Sequence, residues 1–445
     1  MSVAQDMRRG DFAVAAGLLG LALMLGGGSP YAPLQQMIVE IGGVAALGWF
    51  VARGWRAPRE RSITAALILL ALLVMLFIAQ TIPLSPGIWR ALPGRSAVAG
   101  VFDAVGAPDS WLPLSLDPAA TRTAGYFLVA PIAMFVATLH LDRDRQLKLL
   151  ILVVAAALVS AVMVVIQAQG ALWLTWYDAP NPTKGKGIFA NKNHNAVLLV
   201  LAILLVAVLA RGKMLFRQDS TRRAASGIAI AVLAIAVIGC LSRAGLALLP
   251  VALIACVPLM GGWNHIRRHP KIAAGIAIVA ITAAVAIAQS SIAQETLDRF
   301  GAAQEGRYVF WPDVLVAIRQ FLPWGSGFGT FVPVFRMTES LQAVHRTFTN
   351  HAHCDFMEIV LEAGVAGVAL MAGFLLWLVV TGWTRLRAAI GTPDFAPVLG
   401  ALIGIAMLLV ASLVDYPLRT LLLACVFAVF AAMLASPLAN RTNAG

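Results

Sequence analysis

Apolar runs about as long as a membrane is thick alternate with short polar stretches along the whole chain. A span needs roughly 20 apolar residues. Segments of that kind fall near 12–27, 34–52, 62–80, 122–140, 147–169, 194–210, 224–241, 244–262, 272–289, 355–383, 395–413 and 418–437. The stretch 224–262 is apolar nearly throughout but too long for one helix. Ser242, Arg243 and Gly245 at its middle read as the turn of a tight helical hairpin. The pattern predicts an all-α polytopic membrane protein of about twelve transmembrane helices, with residues 1–445 forming one integral membrane domain. The first run, Phe12 to Gly26, follows Arg8 and Arg9. No small-residue cleavage site followed by a soluble domain comes after it, so it reads as a span and not as a signal peptide.

Composition agrees. The chain is 60% hydrophobic and 12% charged, and an ordinary soluble domain carries about 25% charged residues. A pI near 10.2 invites a nucleic-acid partner, but the basic residues stand in short clusters between apolar segments, which is a topology signal. With the N-terminus in the cytoplasm, the clusters at 8–9, 53–61, 143–148, 211–223, 267–271 and 385–387, with Arg441, all fall inside. No nucleic-acid partner is expected, and both ends are placed in the cytoplasm. The other face then carries three sizeable loops, 81–121, 170–193 and 290–354, the last being the main one. Within it, "RYVFWPDVLVAIRQF" (Arg307 to Phe321) has helical spacing and an apolar face, which suits a short helix at the membrane interface. Four cysteines are too few for a disulfide framework. Cys256 and Cys425 lie in apolar runs, and a bridge between Cys240 and Cys354 stays open.

Candidate chemistry gathers on the outer face. "NHAHCDFMEIVLEAG" (Asn350 to Gly364) joins two histidines to Asp355, Glu358 and Glu362, which share one helix face. Asp355 can serve as a helix cap, and the deeper acids can pair with arginines to close the helix end. Alternatively, the cluster is catalytic or binding, since neutral imidazole is the natural general base near neutral pH. A metal centre is not expected, because no second ligand group of comparable density stands on that face. Arg243 sits at the hairpin tip, either snorkelling or holding a phosphate with its planar fork. Arg307 opens the interfacial helix, either solvated or contacting substrate. "PWGSGFGTF" (Pro323 to Phe331) is either a plain turn or a loop whose Gly327 and Gly329 let backbone amides converge on an anion. In "GIFANKNHNA" (Gly187 to Ala196), Asn193 or Asn195 can cap a helix. Arg243, Arg307, Arg346, Lys184 and Lys192 share the outer face with His351 and His353. A basic, aromatic-rimmed cavity beside a bilayer suits a lipid-linked pyrophosphate.

These segments, in this order, resemble the O-antigen ligase and Wzy-type polysaccharide polymerase superfamily. The motif region runs from about 187 to 367. The resemblance implies a metal-independent, cofactor-free, inverting glycosyltransferase of the bacterial inner membrane, acting on the periplasmic face. It implies an undecaprenyl-diphosphate-linked glycan as donor, a glycan acceptor and membrane lipid as partners, with a chain-length regulator as a further candidate partner. Arg243, Arg307 and His353 match the family's catalytic positions. His351, Arg346, Lys192, Asn193, Gly327, Gly329 and Glu358 are the expected substrate-binding residues. The family's usual residue after that histidine is Asn; here it is Cys354. The "HAHxDFxE" variety looks more like O-antigen or exopolysaccharide polymerases than like ligases, which transfer glycan to lipid A core. A lipid-linked oligosaccharide flippase is the alternative of another class, but it would want charges along a central pathway. Glu40 is the clearest mid-span carboxylate in the first half.

The topology is testable by fusion. A reporter placed after Arg61, Lys148 or Arg223 is expected to read cytoplasmic, and one near Gln304 periplasmic. The reverse signal at the last site would put every candidate group in the wrong compartment.

Overall fold

The computed structural model describes residues 3–28, 32–54, 59–171, 173–177, 184–212, 214, 218–261, 306–341, 343–344 and 349–439, with only the backbone of 3–8 and 306–308. The longer helices are α1 (Val3–Leu25), α2 (Pro33–Ala52), α3 (Arg61–Thr81), α4 (Pro118–Phe127), α5 (Val129–Leu139), α6 (Arg143–Ala168) and α7 (Lys192–Ala210). They continue with α8 (Asp219–Gly239), α9 (Arg243–Leu259), α10 (Gly306–Phe321), α11 (Phe331–Thr338), α12 (Asp355–Ala389), α13 (Phe395–Ser412) and α14 (Leu421–Ala435). Helices occupy every expected span except 272–289, which lies outside the described residues. Among the described residues, 8 helices are long and apolar enough to cross a membrane. That count treats α4 and α5 as one segment; α9 and α14 are shorter apolar helices.

The order of burial explains the packing. In α7, "AVLLVLAILLVAVLA" is apolar on every side, and its residues from His194 to Leu209 are all buried. A helix that is apolar all round belongs in a core. It packs against α6, α8, α9 and α13. α14 is likewise buried along nearly its whole length, against α5, α13 and α1. Around these two, α2, α3, α8 and α12 leave large aliphatic side chains uncovered, among them Ile41, Met75, Ile235 and Val379. Such a surface suits lipid, where helices satisfy their own backbone.

Helix starts follow local chemistry. Asp142 accepts from the amide of Arg145 to cap α6, and Ser242 accepts from Gly245 to cap α9. α7 is capped by Asn191, which accepts from Asn193. The cap falls two residues before Asn193 and four before Asn195, the two candidates: Asn195 is buried, taking a bond from Ser160 Oγ at 2.6 Å and donating to Gly185 O. All four cysteines are free and buried, so the Cys240–Cys354 bridge left open above does not form.

Each end of the bundle carries a polar network. At the end bearing the dense basic clusters, Arg143 pairs with Asp394 at 2.9 Å and donates to Met433 O, while Arg385 reaches Glu60 and Ala435 O. At the other end α10 and α11 build a second apolar core with the start of α12, using Phe310, Val314, Phe321, Phe331, Phe335 and Leu361. The stretch Arg307 to Phe321 is helical as expected, within α10, one face packed into this core and Leu315 and Val316 exposed.

α12 is broken at Gly364, whose φ of 56° and ψ of −142° are non-helical. The break admits the Pro323–Thr330 loop: Val365 N donates to Pro323 O at 2.8 Å and Ser326 N to Leu361 O at 2.9 Å. A Cβ on Gly364 would stand 2.1 Å from Pro323 O, and the dihedrals themselves are nearly glycine-only, at a cost of about 1–3 kcal/mol for other residues. Gly364→Ala is expected to lower the unfolding midpoint of the detergent-purified protein. An unchanged midpoint would mean that the break is not needed.

Candidate active site

The N-terminal ends of α7, α9, α12 and α14 meet at one end of the bundle. Asn193 of α7 donates to Asp415, which precedes α14, at 2.7 Å, and His353, which precedes α12, reaches the same carboxylate. The first turn of α9 lies so close to α7 that a Cβ on Gly245 would come 2.5 Å from Ala196. Helix N-termini present unpaired amides and a partial positive charge, which favours anions.

The floor is a cluster of buried charge. Arg419, in the short turn Pro417–Arg419, forms ion pairs with Asp355 at 3.4 Å, Glu358 at 3.1 Å and Glu362 at 3.1 Å. One planar guanidinium with five donors can meet three carboxylates on one helix face. Glu362 also accepts from the amides of Gly329 at 2.9 Å and Phe331 at 3.3 Å, and Asp355 accepts from Ser412 at 2.8 Å.

Two histidines stand above this floor and part company. His351 Nδ1 lies 2.9 Å from Glu358 Oε1, and His353 Nδ1 lies 3.3 Å from Asp415 Oδ1. Between them the Ala352 peptide is pinned on both sides: its N–H donates to Glu358 at 2.9 Å, and its carbonyl accepts from the Trp311 indole at 2.9 Å. His353 is forced to a positive φ of 51°, a strained conformation for any residue but glycine and one that collects at functional sites. Tyr416 packs its ring against His351, His353 and His194, and Phe310 of α10 flanks His353. Asp415 is fully buried and also faces His194 Nε2 at 3.7 Å. Desolvation opposes its charge, but hydrogen bonds from His194 and His353 prevail and hold its carboxyl well below the usual carboxylate range. His353 meets Asp415 through Nδ1, so Nε2 is the ring nitrogen turned away from that carboxylate.

The site brings together His353, His351, Glu358 and Asn193 among the residues expected from the sequence. Arg243 opens α9, capped by Ser242, and Lys192 opens α7, both at the same end. Arg307 stands in the first turn of α10, three residues before Phe310, and its side chain lies outside the described residues, as does all of Arg346. Two of the expected positions have partners within the protein. The amides around Gly327 and Gly329 do converge on an anion, but it is an internal one: Gly329 donates to the Glu362 carboxylate and Gly327 to the Glu362 carbonyl. Glu358 meets Arg419, His351 and the Ala352 amide. His194, Asp415, Tyr416 and Arg419 went unnoticed. A signal was there, since Asp415 and Arg419 are the only charged residues between Phe395 and Asn440.

A family model described as O-antigen ligase matches residues 228–372. The match holds Arg243, Arg307, His351 and His353, and the resemblance to the O-antigen ligase and Wzy-type polymerase superfamily stands on that region. His194, Asp415 and Arg419 lie beyond it. No curated protein sequence matches the chain.

Removing Arg419 would leave three carboxyl groups facing one another without a cation. Breaking a buried pair costs about 3–5 kcal/mol. Arg419→Met is expected to lower the thermal midpoint sharply in detergent, and Arg419→Lys to rescue little, since an ammonium cannot span three carboxylates. Equal stability of Arg419→Lys and the parent would show that only the charge matters.

Proposed function

With residues 228–372 of the O-antigen ligase type, we propose that the chain is an inverting glycosyltransferase of the bacterial inner membrane. It takes glycan from an undecaprenyl-diphosphate carrier on the periplasmic face and adds it to another repeat unit, as a polymerase. The observation that carries this reading is His353, oriented by buried Asp415 where four helix N-termini meet beside Arg243.

The roles follow from the geometry. The acceptor hydroxyl gives its proton to His353 Nε2 as its oxygen attacks the anomeric carbon. Asp415 holds the imidazole by Nδ1 and stabilises the imidazolium that forms. The bond from the anomeric carbon to the phosphate oxygen breaks on the opposite face, so the configuration inverts, and the electron pair leaves with the polyprenyl diphosphate. Arg243 and Arg307, with the helix N-termini, balance the charge that grows there. His351, held by Glu358, contacts the acceptor. No metal enters this scheme, because protons and phosphate charge are handled by side chains.

A ligase using lipid A core as acceptor is the second reading, favoured by the description of the matching family. Transport of the intact lipid-linked glycan finds no support: the centre of the bundle is filled by the apolar turns of α7 and α14, and the ion pairs described above stand at its two ends.

The test is transfer from purified lipid-linked repeat units by the full chain in nanodiscs, with donor binding followed separately. A ladder of repeats marks the polymerase, and a product on lipid A core the ligase. A general base contributes about 100- to 10,000-fold, so His353→Ala is expected to lose transfer on that scale while still binding donor. Asp415→Asn is expected to lower the turnover rate more than donor affinity. Losing one preorganised donor costs about 2.7–4 kcal/mol in barrier, the expected loss for Arg243→Ala. Activity is expected to survive EDTA. Full transfer by His353→Ala would sink the mechanism, and loss in His351→Ala alone would swap the two histidines.

A further inference from the structure

Between α3 and α4 the chain makes an excursion that the proposed chemistry does not use. Strands β1 (Pro83–Leu84) and β2 (Leu112–Pro113) close it as an antiparallel pair, and two short helices, Pro86–Trp89 and Ser96–Ala104, fill it. It has its own small core. Trp89 is buried against the edge of Phe102 and donates to Ser110 O at 2.8 Å. Arg90 pairs with Asp103 at 2.8 Å and lies over the Trp89 ring. It is also braced against the rest of the molecule. Leu116 N donates to Ser326 O at 2.9 Å, and a Cβ on Gly94 would come 2.5 Å from the Phe321 ring at the end of α10.

One face of this ordered hairpin nevertheless stays apolar and uncovered. Val101 is 60% exposed, Val105 69% and Trp111 63%. Ala97, Val101 and Val105 follow at i, i+4 and i+8, so they form a stripe. None of the helix Ser96–Ala104 is buried. The stripe does not stand alone. The hairpin grows directly from α3, whose uncovered Met75, Ile78 and Ile82 (Ile78 is 56% exposed) make a lipid-facing side that runs up to β1. An exposed apolar face that continues a lipid-facing surface, with an aromatic residue at its edge, has the makeup of an element seated at the membrane interface.

We infer that the Pro83–Pro113 hairpin lies on the bilayer beside α3, with Ala97, Val101 and Val105 turned into the acyl boundary and Trp111 at headgroup depth. The Arg90–Asp103 pair and Asp109 then sit among the headgroups, where charge is tolerated. Because Gly94 rests on Phe321 of α10, whose first turns carry Arg307 and Phe310, the hairpin fixes the height of that helix above the leaflet. The occupant is lipid, not a second copy of the chain or another protein.

The native cysteines are all buried, so a single introduced cysteine can be labelled selectively in the full chain. Val101→Cys and Val105→Cys are labelled with an environment-sensitive fluorophore in nanodiscs of phosphatidylethanolamine and phosphatidylglycerol. Ile78→Cys on α3 is the lipid-facing reference. Nitroxides placed high on the lipid acyl chains are expected to quench the labels at 101 and 105 as strongly as the label at 78, with blue-shifted emission. Quenching by aqueous iodide in place of the lipid nitroxide would place the face in water and overturn the inference. Protection from both quenchers would mean that protein covers the face, and would overturn it equally.

Discussion

The end of the bundle that carries the histidines depends on a single arrangement, in which one guanidinium compensates three carboxylates that a helix has carried below the surface. Asp355, Glu358 and Glu362 share a face of α12 and have no water to turn to. Arg419 meets all three, and the rest is built on that contact. Glu358, held by Arg419, fixes His351 and the Ala352 amide. Glu362, held by Arg419, gathers the Gly329 and Phe331 amides and so starts α11. Asp355 ties α12 to α13 through Ser412. A strongly directional hub of this kind costs desolvation for every ion in it. In return it specifies a single geometry for a loop that would otherwise have few apolar contacts.

Much of this was legible in the chain before any coordinates. Apolar period and length placed the helices, because a membrane span is a demanding local condition: each must be long, apolar and self-satisfied in its backbone. The helical register of Asp355, Glu358 and Glu362 was readable for the same reason. What stayed hidden was pairing at a distance. Nothing near His353 announces Asp415, 62 residues on, and nothing near Glu362 announces Arg419. The glycine loop shows the limit most clearly. Its flexibility and its convergent amides were foreseen, but the anion they meet is supplied by α12, whose break at Gly364 only the tertiary fit explains.

The two histidines illustrate how spacing misleads when backbone conformation is unknown. An H-x-H pair in an extended strand would point both rings the same way. Here the pinned Ala352 peptide and the positive φ of His353 send them to different carboxylates. Each imidazole is then held through Nδ1 by a carboxylate of its own, Glu358 for His351 and Asp415 for His353.

The shortness of α14 carries a consequence for depth. Its 15 residues extend about 22 Å, less than the roughly 30 Å of a hydrocarbon core. Protein surrounds this helix, so the bilayer cannot thin to meet it. Polar groups close the helix at both ends, Asp415 to Arg419 at one and Ser436, Gln146 and Arg143 at the other, and under the proposed function they would lie below the level of the surrounding headgroups. Under the proposed function, a substrate tethered by a hydrocarbon tail would then reach the histidines without being lifted out of the membrane, its headgroup moving sideways and slightly down while the tail stays in the phase it prefers.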